Sequence, residues 1–67
     1  MKPNELKAEI VRNGLAIETF ADEVGIGRTT LWRRFKHPDE FTLGEILRMV
    51  DVLNLPKDRI TEIFFTN

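Results

Sequence analysis

Apolar side chains recur along this chain at spacings of three and four, and glycine, proline or asparagine cuts each run short. The breakers are Asn13-Gly14, Gly25-Ile26-Gly27, His37-Pro38-Asp39 and Asn54-Leu55-Pro56. Four stops leave five segments, each long enough for two or three helical turns. The first runs from about Asn4 to Arg12. Leu6 and Ile10 lie one turn apart, Asn4 can cap the start, and Gly14 can supply a left-handed residue at the end. In the second, from about Ile17 to Val24, the apolar set is Ile17, Phe20, Ala21 and Val24, and Ala16 offers no capping side chain. The third, from about Arg28 to Lys36, has only Leu31 and Phe35 as an apolar side. The fourth opens with Thr42 and Glu45 at capping-box spacing. Leu43, Ile46, Leu47, Val50 and Leu53 then form a broad predicted core stripe. The fifth follows Pro56, a residue suited to a first helical turn, and turns Ile60, Ile63 and Phe64 inward. Nothing alternates with period two over more than a few residues. Phe65-Thr66-Asn67 is compatible with a short extended end and too short to decide.

The predicted fold is therefore all-α: one compact five-helix bundle spanning residues 1–67, since 67 residues leave room for a single small domain. Without cysteine, neither a disulfide framework nor a thiolate metal site can staple it, so the helices must pack well. Ser, Tyr and Gln are absent too, and His37 is the single histidine; no nucleophile, acid–base pair or zinc set is apparent, and neither an enzyme nor a cofactor is expected. The apolar runs are too short for a membrane span or a signal-peptide core, which predicts a cytoplasmic protein.

Charge changes the picture only when it is read locally. The chain as a whole carries a formal −1. Between Val24 and Pro38, however, lie Arg28, Arg33, Arg34 and Lys36 and no acid, while the rest of the chain is net acidic. One basic helix on an acidic body attracts phosphate to one face and repels it from the others; the plainer reading is a solvated charged face. On a helical wheel, Thr29, Arg33 and Lys36 lie opposite Leu31. Trp32 and Arg28 occupy one flank, Thr30 and Arg34 the other. Ala21 is small enough for a close helix crossing, Gly25 falls where the chain must turn, Ile26 can plug the angle, and Leu31 anchors the second helix. That is helix–turn–helix spacing, over about residues 17–36.

The run from Phe20 to Phe35 (FADEVGIGRTTLWRRF) resembles the helix–turn–helix of the lambda-repressor-like family, which includes phage repressors and Cro proteins. Pro38, Phe41-Thr42-Leu43 and the stretch to Leu53-Asn54-Leu55 are similar to that family's fourth helix and its exit, and Glu62-Ile63-Phe64-Phe65 to the ends of small phage-borne regulators of Gram-positive hosts. The resemblance covers roughly residues 5 to 65. It implies operator binding without catalysis, with no separate sensor or oligomerisation domain, in a bacterial cell at the nucleoid. It places Arg28, Thr29 and Arg33 at base-reading positions, and Trp32 and Lys36 toward the groove wall or phosphate. It places Thr42 where backbone amides grip phosphate, a role that free N–H groups at a helix start support independently. Two positions depart from the family: Ile17 stands where glutamine is frequent, and Arg34 where an aliphatic residue is frequent. The Arg34 stem is expected along the core edge, with its head paired to an acid of the second helix.

The candidate DNA-binding set is thus Arg28, Thr29, Thr30, Trp32, Arg33, Lys36 and Thr42. Arg28 and Arg33 can each read guanine O6 and N7, or merely touch phosphate; with no Asn or Gln between 24 and 38, guanine-containing half-sites are predicted. Thr29 can meet a thymine methyl or cap locally, Lys36 can meet phosphate or water, and Trp32 is expected half-buried with an edge toward DNA. His37 reads as a turn residue. One such domain reads few base pairs, so a homodimer, formed either in solution or only on DNA, is expected on two half-sites about one helical turn apart. Its candidate surface is Leu55, Ile60, Phe64 and Phe65, with Val52 beside them; alternatively both phenylalanines tuck into the core. The competing class is a protein-interaction module, such as an anti-repressor or antitoxin-like partner, that keeps the fold without binding DNA.

Overall fold

The computed structural model describes residues 1–66, and its helices start and stop at the breakers. They are α1 (Pro3–Arg12), α2 (Ile17–Val24), α3 (Arg28–Lys36), α4 (Leu43–Leu53) and α5 (Lys57–Phe64), with one 3-10 turn at Pro38–Glu40. The described residues contain no strand, and none of their helices is long and apolar enough to cross a membrane.

Local chemistry accounts for most of these boundaries. α1 begins one residue earlier than expected because Pro3, whose fixed φ suits the first turn, is its first residue; Asn4 lies inside the helix and Lys2 occupies the cap without a side-chain bond. The Lys2 N–H instead donates to the Ile63 carbonyl at 2.7 Å, tying the start of the chain to α5. Gly25, at φ 80°, closes α2 in the left-handed region, and the N–H groups of Gly25 and Ile26 both donate to the Ala21 carbonyl. Thr42 and Glu45 form the full capping box on α4. Asn54, at φ 51°, ends α4 in the same left-handed region without being glycine. Pro56 is the cap of α5 in extended geometry, not a member of its first turn as expected. Phe65, at φ −120° and ψ 14°, does not begin an extended end; Asn67, the last residue of that expectation, lies outside the described residues.

The core draws on every helix: Leu6 and Ile10; Phe20, Ala21 and Val24; Ile26 from the turn; Leu31 and Phe35; Phe41; Met49 and Leu53; Ile63 and Phe64. No polar or charged residue among those described is buried. The chain closes to a Cα radius of gyration of 10.6 Å. The expected core stripe of α4 is also corrected. Leu43 and Leu47 of the predicted α4 stripe are exposed, and Met49 is fully buried in their place. Ile46, Met49, Val50 and Leu53 make a four-residue stripe at 3.6-residue spacing, and packing selects it from a helix that is apolar around most of its girth.

Candidate nucleic-acid interface

Leu31 and Phe35, anchored in the core, fix the rotation of α3 about its axis. Helical geometry then turns Arg28, Thr29, Trp32, Arg33 and Lys36 outward, and all five are exposed. α3 has no acid in its first turn, and its start at Gly27 has no side-chain cap. α2 packs against α3, and Ala21 and Ile26 are both buried.

The cations of α3 fall into two groups. Arg33 and Lys36 form no ion pair among the described residues, whereas Arg28 and Arg34 both do. Arg28 grips Asp22 of α2 through Nη2 at 2.7 Å and Nε at 3.4 Å. The hydrogen bond from Arg28 holds the Asp22 carboxyl below its usual range, and the same bond raises the Arg28 pKa. Both side chains are more than half exposed, 59% and 57%, so water and other anions compete for this pair. Arg34 behaves differently. Its stem lies at the core edge as expected, but its partner is Glu45 of α4, not an acid of α2. The two side chains are 15% and 13% exposed, and the Arg34 guanidinium also sits 5.9 Å from the Phe41 ring centroid. Arg34 shares its flank of α3 with Thr30, and Glu45 in the first turn of α4 meets Arg34 there. Burial pushes the Glu45 carboxyl up, but the Thr42 N–H and the Arg34 guanidinium outweigh it and hold the group below the ordinary glutamate value.

Thr29 is exposed, while Thr30 is half-buried at the start of α3, against Gly27. Trp32 is 45% exposed and packs edge-to-face on Phe35, with ring centroids 5.8 Å apart. Thr42 faces solvent as the cap of α4. The structure therefore brings Arg28, Thr29, Trp32, Arg33 and Lys36 to one outward side of a single helix and leaves Thr42 on the next element. On the expected dimer surface, Leu55 and Ile60 are half-buried and Phe65 is 68% exposed. Phe64 is corrected: it is spent in the core and cannot belong to that surface. Nor do both phenylalanines tuck in: Phe64 ends α5 buried, and Phe65, the cap, leaves the helical path at φ −120° and stays exposed.

Besides the Arg28–Asp22 pair, two contacts at this site lie outside the sequence-based expectations. The Lys7 ammonium of α1 sits 5.8 Å from the Trp32 ring centroid and 5.0 Å from that of Phe35. Arg48 of α4 donates from Nε to the Val24 carbonyl at 2.8 Å, bracing the last turn of α2. Lys7 carried one legible signal, its place on the wheel opposite Glu5 and Glu9; Arg48 carried none. No cluster of three or more potential metal ligands occurs among the described residues. No family model, curated protein or solved structure matches the chain.

Proposed function

We propose that this chain is a sequence-specific double-stranded-DNA-binding transcriptional regulator of the lambda-repressor-like helix–turn–helix type, a Cro-like repressor of phage or prophage that acts by occupying an operator. One observation carries the reading: α3 is anchored by Leu31 and Phe35 and turns Thr29, Arg33 and Lys36 outward with no acid to neutralise them. Arg33 would donate two guanidinium N–H groups to guanine O6 and N7, Thr29 would meet a neighbouring base edge, and Lys36 would hold phosphate. Arg28 would join them by exchanging Asp22 for a base or phosphate. The Leu43 and Gly44 N–H groups beyond the Thr42 cap would face a flanking phosphate. Two copies would meet through Leu55, Ile60 and Phe65 on half-sites about one helical turn apart.

Selection of bound molecules from random duplex DNA tests this at low salt and at a concentration that permits dimers. A guanine-containing, two-fold symmetric motif is the expected result; failure to enrich any motif overturns the reading. A second reading rests on Leu43 and Leu47, exposed one turn apart on α4, which suit a protein-binding face. Retention on heparin separates the two, since a protein-interaction module would elute at very low salt and ignore Arg33→Ala.

A further inference from the structure

α1 is acidic on one flank and basic on the other. Glu5 and Glu9 project to one side of the buried Leu6–Ile10 stripe, and Lys7 to the opposite side. The acids are already engaged: Arg59 of α5 lies 3.6 Å from Glu5 and 2.8 Å from Glu9, and Arg12 lies 2.9 Å from Glu9. Lys7 forms no ion pair among the described residues. Its ammonium rests instead against Trp32 and Phe35 of α3. Aromatic rings position an ammonium but do not cancel its charge, as a carboxylate would. Lys36 lies one turn beyond Trp32 on the same side of α3. The half-exposed indole therefore stands between two uncompensated ammonium groups that come from different helices.

We propose that Lys7 is a phosphate-contact residue of the DNA-binding surface, held beside α3 by Trp32 and Phe35 and acting with Lys36 on the sugar–phosphate backbone that borders Trp32. This rests on the DNA-binding reading and extends the surface from α3 to α1. The charge is the working part, and the rings are its support. Lys7 would add affinity without sequence preference, because phosphate carries no base information.

The test is the salt dependence of binding to the selected duplex for the wild-type chain, Lys7→Met and Lys7→Arg. Met keeps an unbranched stem against the rings and removes the charge; Arg keeps the charge. Each lost phosphate contact flattens the slope of log K against log salt by about 0.9. Lys7→Met should show that change, with a several-fold affinity loss shared by specific and random sequences, and Lys7→Arg should keep the wild-type slope. Amine acetylation of the wild-type chain gives a readout independent of variant folding: bound duplex should protect Lys7 together with Lys36. An unchanged slope in Lys7→Met, or Lys7 remaining reactive while Lys36 is protected, overturns this inference and leaves the DNA-binding reading standing. A wild-type chain that binds no duplex overturns both.

Discussion

Along the seam between α1 and α5, Arg59 lies 3.6 Å from Glu5, 2.8 Å from Glu9 and 3.0 Å from Glu62. Along the outer side of α3, Arg33 and Lys36 have no ionic partner among the described residues, although they sit three positions apart and repel. The first arrangement joins the two ends of the chain, which also meet where the Lys2 N–H reaches the Ile63 carbonyl. The second adds little to the fold: both cations sit favourably in the last turn of α3, but their mutual repulsion costs a few tenths of a kcal/mol and offsets that gain. The contrast also runs through α3 itself. Arg34 is matched to an acid and nearly buried, whereas Arg33, its neighbour in sequence, is exposed and unmatched. On α3, a shielded acid partner marks the cation that holds the bundle together, and exposure without a partner sets Arg33 and Lys36 apart from it.

The largest expected effect breaks the paired side of α3. Glu45→Ala removes half of the α4 capping box and strands Arg34 at the core edge. It should destabilise the chain by about 3 kcal/mol and lower Tm by roughly 15 °C. The same carboxylate sets a pH dependence. Its folded pKa lies below the ordinary value, so its contribution is complete above the ordinary glutamate range and is lost as pH falls through the folded value. Urea unfolding followed from about pH 7 down to about pH 3 should show that loss, and Glu45→Gln should flatten it.

Next comes the unpaired side. Arg33→Ala should leave Tm nearly unchanged, because no acid among the described residues pairs with the guanidinium and its last-turn charge contributes only a few tenths of a kcal/mol. In a duplex-binding titration it should cost about 2 kcal/mol, roughly 30-fold in affinity, and relax preference at one base pair. A drop in Tm with no change in binding would reverse the assignment of the two sides. At the seam, Arg59→Met should do the opposite, lowering Tm by several degrees in a thermal melt while the folded protein keeps its affinity for DNA.

How far the sequence foretold this contrast depends on the range of the forces involved. The bounds of α2 and α3 follow from Gly25, from Pro38 and from apolar side chains three or four apart, all of which act within one helix or one turn. The α4 cap is equally local. The outward direction of Thr29, Arg33 and Lys36 is helix geometry once Leu31 and Phe35 are buried. Leu43 and Leu47 were misplaced because α4 offers more apolar surface than its neighbours can cover, so tertiary packing decides which stripe goes in. The partner of Arg34 and the rings beneath Lys7 are also tertiary facts: the first contact joins consecutive helices and the second joins α1 to α3, but neither lies within one helix or one turn.

Arg28 stands between the two classes, and the smallest expected effect separates them. It is paired, yet its pair with Asp22 is open to water on both members. Exposed pairs contribute little to stability, so Asp22→Asn should leave Tm nearly unchanged in a thermal melt. The substitution removes a negative charge beside α3 and releases the Arg28 guanidinium. Affinity for the selected duplex should therefore rise a few-fold at low salt, and the gain should shrink as salt screens it. Asp22 titrates below the ordinary aspartate range, so across neutral and mildly acidic pH the wild-type pair stays intact and the gain should hold constant. Weaker binding by Asp22→Asn would mean that the carboxylate holds Arg28 in its reading position. Arg28 would then join Arg34 as a cation whose function depends on its partner, and Arg33 would be left as the one guanidinium on α3 that reads bases unaided.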